Sequence, residues 1–174
     1  QPFIVFATQN PTGAAGTQLL PDSQMDRFTV RLSIGYPAPA DEREILLSRQ
    51  KGNPLLQVRQ VVTREELLSM QQEAANVYVK PELADYIVSL VGKTRQDPMI
   101  ARGASPRATL SLGAMAKSVA YVQGRDYVLP KDIQAVFVST CAHRLLLSAE
   151  ADAKGMRAEE LLESILKSTP APRI

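Results

Sequence analysis

The sequence predicts a mostly α-helical protein in which a short piece of β-sheet precedes a helix bundle. Two strand-like runs, at residues 3–7 and 28–34, lie within the first 37 residues. From residue 38 onward, apolar residues recur at helical spacing, and capping signals mark the starts of helices, four or five of which make a bundle. We therefore expect two units, at residues 1–37 and 38–174, with the second folded as a small antiparallel bundle.

The first strand-like run ends in a polar cluster. Residues 3–6 are aromatic or β-branched without polar alternation, as in a strand that is covered on both faces. Thr8, Gln9 and Asn10 follow, and Pro11 ends the run. Since open α/β sheets bind ligands at the carboxyl ends of their strands, Asn10 is a candidate ligand-contacting residue. The alternative is that Asn10 only caps a turn before Pro11.

Capping residues and apolar stripes define the expected helices. Thr63 and Glu66 form a capping-box pattern before a helix that is expected over residues 64–75. Three later helices begin with a proline, which is favoured at the first helical position. Besides the helix at 64–75, helices are expected at residues 41–50, 81–91, 106–123, 130–148 and 158–167.

Composition and motifs exclude several classes of protein. The net charge is only +2, with acids and bases interspersed, so neither a nucleic-acid groove nor a membrane surface is indicated. No run approaches the roughly 18 apolar residues that span a bilayer. The single Cys141 cannot form an internal disulfide, and His143 is the only histidine, which excludes a multi-histidine metal site. We expect a cytoplasmic protein in which both residues are structural.

A phosphate-binding loop is also not indicated. Gly92, Lys93 and Thr94 resemble the end of such a loop, but the motif needs a glycine five residues before Gly92, and that residue is Ile87. No catalytic triad or pair of carboxylates stands out in the sequence. By its own motifs, the chain does not look like a complete enzyme.

Two arginines carry more information. Arg107 falls in the first turn of a helix that Ser105 caps and Pro106 begins, where the helix dipole disfavours a cation. The position suits a phosphate ligand, because backbone N–H groups and a guanidinium can converge on its oxygens. The alternative is a solvated arginine. Arg27 closes a short helical segment before Phe28, and an ordinary surface charge is the simpler interpretation there.

Taken together, the motifs resemble those of MoxR-type AAA+ ATPases. The chain reads ATQNP, GT, LLPDSQMDRF and LSIGYP, where the family pattern is ATQNP, GT, PLPEAQLDRF and GYP. Further on, GASPRA, GRDYVLPKDI and the HRL of residues 143–145 resemble the family's lid domain. The implied fold is the end of an αβα AAA+ core with two strands, at residues 1–37, followed by a linker and a four- to five-helix lid at residues 38–174.

The resemblance implies roles for individual residues. Asn10 corresponds to sensor 1, which positions the attacking water. Arg27 corresponds to the arginine finger, which reaches the nucleotide of a neighbouring subunit, and Arg107 to the sensor 2 arginine of the lid. Pro106 belongs with Arg107 to the nucleotide-binding motif. The acidic residues that the family usually carries between ATQNP and GT are absent from residues 12–15.

The resemblance also implies an activity and partners. Family members form rings, expected here to be hexamers, that use ATP and Mg²⁺ and act like chaperones on client protein complexes. Their partner often contains a von Willebrand factor A domain. Walker A and Walker B precede the ATQNP segment in this family, so we expect the chain to be a fragment that is inactive alone. A helical protein-interaction module without a nucleotide role is the alternative.

Overall fold

The computed structural model describes residues 3–9, 20–50 and 52–173. Within these ranges the chain forms eight α-helices and one antiparallel two-stranded sheet. The helices are α1 (Asp22–Met25), α2 (Pro39–Gln50), α3 (Arg64–Ala75), α4 (Pro81–Lys93), α5 (Pro106–Val122), α6 (Pro130–Cys141), α7 (Ala149–Ala153) and α8 (Ala158–Ser168). The strands are β1 (Ile100–Arg102) and β2 (Leu146–Leu147), and 3₁₀ turns occur at Pro54–Gln57 and Ala142–Arg144.

The hydrophobic core lies between α4, α5, α6 and α8. Each of these helices buries one face, on which apolar residues recur at three- or four-residue spacing. Helix α5 packs against α3, α4 and α6. The apolar residues that recur at helical spacing in the sequence of α4 are all buried: Leu83, Tyr86, Ile87, Leu90 and Val91. The predicted fold class, a mostly helical protein with a helix bundle, is confirmed.

Local sequence signals set most helix starts. At α3, the Glu66 N–H donates to Thr63 Oγ1 at 3.2 Å, and the Thr63 N–H donates to the Glu66 carboxylate at 2.7 Å, so the predicted capping box is confirmed. Helices α4, α5 and α6 begin at the predicted prolines. Helix α2 begins at Pro39, before the predicted start at Asp41. Its first turn therefore includes Asp41, where an acid is favoured by the helix dipole.

The strands predicted at residues 3–7 and 28–34 are not formed, and their placement is wrong. Both segments are irregular, and Phe3 and Phe6 are 86% and 93% exposed. A strand needs hydrogen bonds from a neighbouring strand, and neither segment pairs with one in the part of the chain that is described. The sheet that does form pairs β1, between α4 and α5, with β2, after α6.

The helix predicted from Pro130 to about Ser148 is shorter than expected. It ends at Cys141, and the 3₁₀ turn and β2 follow. The 3₁₀ turn carries His143 and Arg144, both of which are buried. The prediction of the helix end is therefore wrong. The side chains of His143 and Arg144 make long-range contacts from the 3₁₀ turn, and the chain does not continue as an α-helix.

A buried ion pair fixes the start of α6. Asp132 is 1% exposed and accepts two hydrogen bonds from the Arg125 guanidinium, each at 2.7 Å, and one from the Leu129 N–H, also at 2.7 Å. Burial alone would raise the pKa of Asp132, but the bonds from Arg125 and Leu129 outweigh it and lower that pKa. The ionised carboxylate therefore joins the loop after α5 to the first turn of α6.

Replacing Asp132 with Asn leaves Arg125 without its counter-charge. We expect the free energy of unfolding, measured with urea, to fall by about 3 kcal/mol. The control is Glu150→Gln, which removes one member of the exposed pair between Lys154 and Glu150 and should cost less than about 1 kcal/mol. Equal losses from both substitutions would contradict the importance of the buried pair.

Candidate functional site

The turn that contains Arg27 follows α1. In this turn the Arg27 N–H donates to Gln24 O and the Phe28 N–H donates to Met25 O, each at 3.1 Å. No residue of α1 is buried, so apolar packing of that helix contributes little to holding the turn in place. Polar contacts made by Asp26 and Phe28 hold it against the bundle instead.

Arg144 makes the central contacts with this turn. Its side chain is 1% exposed. The Nη1 atom lies 3.1 Å from Asp26 Oδ1, and Nη2 donates to Phe28 O at 2.8 Å and to Ser111 Oγ at 3.0 Å. The Nε atom donates to Thr140 O at 2.9 Å. One guanidinium therefore joins the turn after α1 to α5 and to the end of α6.

His143 contacts the same turn. Its Nε2 lies 3.0 Å from Phe28 O and carries the proton, because a carbonyl only accepts. Burial lowers the pKa of His143, the contact with Phe28 raises it, and the guanidinium groups of Arg144 and Arg31 lower it again, for a net decrease. Asp26 raises this pKa by a smaller amount. The imidazole is therefore neutral at pH 7, and its role is structural, as expected.

Arg107 lies near the same carboxylate. It occupies the first turn of α5, as predicted, and Pro106 is the first residue of that helix. The Arg107 side chain is 55% exposed, and its Nε atom lies 4.0 Å from Asp26 Oδ2, which is the outer limit of an ion pair. The Ser105 hydroxyl makes no capping hydrogen bond and instead donates weakly to the Asp26 carboxylate at 3.4 Å.

A close backbone contact fixes the approach to α5. Thr94 is fully buried, and its hydroxyl donates to Val91 O at 2.6 Å and accepts from the Ala104 N–H at 3.0 Å. A Cβ atom at Gly103 would lie 2.6 Å from the backbone O of Thr94, so a larger residue requires the backbone to move. Thr94 is thus a structural residue that positions the start of the helix with Arg107.

The structure brings together only some of the predicted site residues. Arg107 and the turn that contains Arg27 meet at Asp26. The Arg27 side chain is exposed, and within the described ranges it makes no hydrogen bond or ion pair. Asn10 lies outside the described residues, so its predicted role as sensor 1 stays a prediction.

Other candidate chemistry is not found in the described part of the chain. It holds no group of three or more His, Cys, Asp or Glu residues that could bind a metal ion. Burial raises the pKa of Cys141 to about 12, which keeps the thiol protonated and unreactive. Among the same residues, no helix is long and apolar enough to cross a membrane.

Sequence reasoning did not single out Asp26 or Arg144. Both lie in motifs that the sequence displays, DRF and HRL, next to residues that received roles. The missing information is their proximity, since 118 positions separate them along the chain. A charged residue in each of two distant motifs is the signal that could have suggested the pair.

Comparison with known proteins gives the class of this chain. The model of the AAA lid domain matches residues 92–165, and that of the ATPase family associated with various cellular activities (AAA) matches residues 1–30. The crystal structure of a candidate ATPase from Cytophaga hutchinsonii superposes with a TM-score of 0.89 at 34% identity, over 99% of this chain and 55% of that one. The chain belongs to the AAA+ ATPases.

Curated relatives indicate which branch of the AAA+ ATPases the chain belongs to. Chaperone MoxR1 from Mycobacterium tuberculosis is 38% identical over 182 residues, which cover 99% of this chain and 48% of that protein. Protein MoxR from Methylorubrum extorquens is 26% identical over 193 residues, which cover 97% of this chain and 55% of the relative. Within the AAA+ ATPases, the chain is of the MoxR type. It spans about half the length of these relatives.

Substituting Gly103 tests the contact that positions α5. Gly103→Ala places a methyl group against the Thr94 carbonyl, and we expect the free energy of unfolding to fall by about 1–3 kcal/mol. Gly92→Ala is the matched control, because a Cβ there meets no atom within 4 Å and alanine favours the helix by up to about 1 kcal/mol. Urea denaturation of both variants measures the difference. A neutral Gly103→Ala would contradict the close contact.

The lowered pKa of His143 predicts a pH dependence of stability. Its contribution is fully present above the unfolded-state pKa of about 6.5 and is lost as the pH falls from there through the folded-state pKa, because the unfolded chain then binds the extra proton. Urea denaturation between pH 8 and pH 5.5 measures this slope. His143→Gln keeps a donor but does not titrate, and should flatten the curve. An unchanged slope in that variant would refute the assignment.

Proposed function

We propose that the full-length protein hydrolyses ATP in a hexameric ring and uses the cycle to remodel client protein complexes. The observation that carries the proposal is the cluster at Asp26. Two guanidinium groups, those of Arg107 and Arg144, face this one carboxylate, and the first turn of α5 contains no acid. The excess positive charge at a helix N-terminus fits the phosphate groups of ATP.

Each site residue has a role in this proposal. Arg107 follows Pro106, the first residue of α5. It contacts phosphate oxygens of the nucleotide that is bound to its own subunit. Arg27 reaches the nucleotide of the neighbouring subunit, and Asn10 positions the attacking water. ATP supplies the γ-phosphoryl group that is transferred. In the transition state, negative charge is redistributed over the oxygens of this group. The guanidinium groups place fixed positive charge there, for which arginine is suited.

We propose that the phosphate-binding loop and the ligands for Mg²⁺ lie elsewhere in the full-length protein. The printed sequence contains no GxxxxGK[ST] motif, and the described residues contain no cluster of metal ligands for Mg²⁺. We therefore expect this chain alone to show no ATP turnover above background. A preparation of the chain that hydrolysed ATP would contradict this expectation.

Partners and location rest on the family. One relative is named a chaperone, which supports a client protein complex as the target of the ring. We extend the proposal to a partner with a von Willebrand factor A domain and to a cytoplasmic location. A helical interaction module without a nucleotide role is the weaker alternative, because it gives no task to Arg27 or to Arg107.

Substitution of the two arginines in the full-length protein tests the activity. Arg27→Ala and Arg107→Ala should each lower kcat by roughly 10³-fold or more, with a smaller effect on the KM for ATP, because their charge is needed most in the transition state. Arg157→Ala, which changes an exposed arginine paired with Glu160, is the control and should retain normal turnover. Steady-state ATPase assays measure all three. Normal turnover from both site variants would overturn the assigned roles.

Mixed rings separate the two roles. Subunits with Arg27→Ala should regain activity when mixed with subunits whose phosphate-binding-loop lysine is replaced, because the intact finger and the intact loop then meet at one interface. Subunits with Arg107→Ala should not be rescued, since their defect affects the same nucleotide as their own loop. Failure of the Arg27→Ala mixture to recover would refute action across the interface.

A further inference from the structure

We propose that Arg144 is a positioning residue that holds Arg27 in place for action on the neighbouring subunit's nucleotide. The inference rests on the proposed function, in which Arg27 is the arginine finger. Arg144 lies in the lid domain. It acts through the turn that contains Arg27, by binding the residue on each side of it, Asp26 and Phe28.

The guanidinium of Arg144 binds the turn and the bundle at the same time. Arg144 donates to both neighbours of Arg27 and at the same time to Thr140 O and Ser111 Oγ. The last two groups belong to α6 and α5, which form the core of the bundle. The planar group makes these bonds in fixed directions. The turn is therefore held at a defined angle to the bundle.

The other restraints on the turn that contains Arg27 are weaker. The Arg31 N–H donates to Ser139 O at 3.0 Å, and the ion pairs Arg31–Glu159 and Arg102–Asp22, each at 2.7 Å, lie on the surface. Exposed ion pairs contribute little. Without the Arg144 contacts, the turn would keep these restraints, the hydrogen bond from His143, and the weak contacts of Asp26 with Ser105 and Arg107.

The side chain of Arg27 has no restraint from the residues that the structure describes. Its guanidinium is exposed and makes no hydrogen bond or ion pair with the described residues. The position of its backbone therefore decides where the group can reach. Misplacing a catalytic group by about 1 Å can cost on the order of 100-fold in rate. Arg144 thus links the lid to a site on the adjacent subunit.

The experiment uses the full-length protein with Arg144→Met, Arg144→Lys and Asp26→Asn. Arg144→Met should lower kcat by roughly 10- to 100-fold with little change in the KM for ATP, and Arg144→Lys should recover only part of the loss. Asp26→Asn removes the partner charge while Arg144 keeps its other bonds, and should show a smaller loss of the same kind. Arg102→Gln is the matched control: it removes an exposed pair between the bundle and α1 and should leave kcat unchanged.

Three readouts separate positioning from general damage to the fold. Arg144→Met subunits should be rescued in mixed rings by subunits defective in the phosphate-binding loop, as expected for Arg27→Ala. The double variant with Arg27→Ala should be no slower than Arg27→Ala alone, because both substitutions remove the same contribution. Hydrogen exchange should speed up at the amides of Arg27 and Phe28 in Arg144→Met.

The outcomes distinguish this inference from the proposed function. If Arg27→Ala is inactive while folded Arg144→Met has normal turnover, or if the two losses multiply in the double variant, the positioning role is overturned alone. Absence of rescue of the Arg144→Met subunits in the mixed rings would also overturn the positioning role alone. Should Arg144→Met not fold, the Asp26→Asn variant gives the same three readouts. Normal turnover from Arg27→Ala would overturn the proposed function and this role together.

Discussion

The region around the candidate site depends on the burial of one guanidinium group. Arg144 is removed almost entirely from water, and an unpaired charge in that position would be strongly unfavourable. The carboxylate of Asp26 and hydrogen bonds to three other groups offset the lost hydration. Two of these contacts belong to the turn after α1. Without the turn, Arg144 would keep only its hydrogen bonds to Thr140 O and Ser111 Oγ and would lose its counter-charge.

This arrangement explains how a segment with few buried residues can have a defined orientation. Apolar contacts resist separation but depend little on angle, whereas hydrogen bonds weaken steeply when they bend. Helix α1 buries no residue, yet the carbonyl of Phe28 accepts from both His143 and Arg144. Directional contacts from two adjacent residues hold the turn in one orientation, and the neutral state of His143 avoids a second buried charge beside Arg144.

How far the sequence predicts the structure depends on the range of the interactions. The capping box at Thr63 and the apolar face of α4 are local patterns, and both are confirmed. The runs at residues 3–7 and 28–34 look like strands, but pairing depends on a distant partner that the pattern does not contain. The same limit applies to Arg144. Its contact with Asp26 joins residues 118 positions apart, so no local pattern indicates that it is buried.

The two arginines that share Asp26 differ in a way that suits different tasks. Arg144 is fixed by its buried hydrogen bonds and neutralises the carboxylate at 3.1 Å. Arg107 is more than half exposed and lies 4.0 Å from the same group. Because Asp26 keeps its closer partner when Arg107 moves away, that movement leaves no buried charge unpaired. Arg107 also lies at the positive end of α5, where an anion other than Asp26 would stabilise it. The shared carboxylate thus holds one guanidinium in place and leaves the other free to move toward the phosphate group that we propose as its ligand.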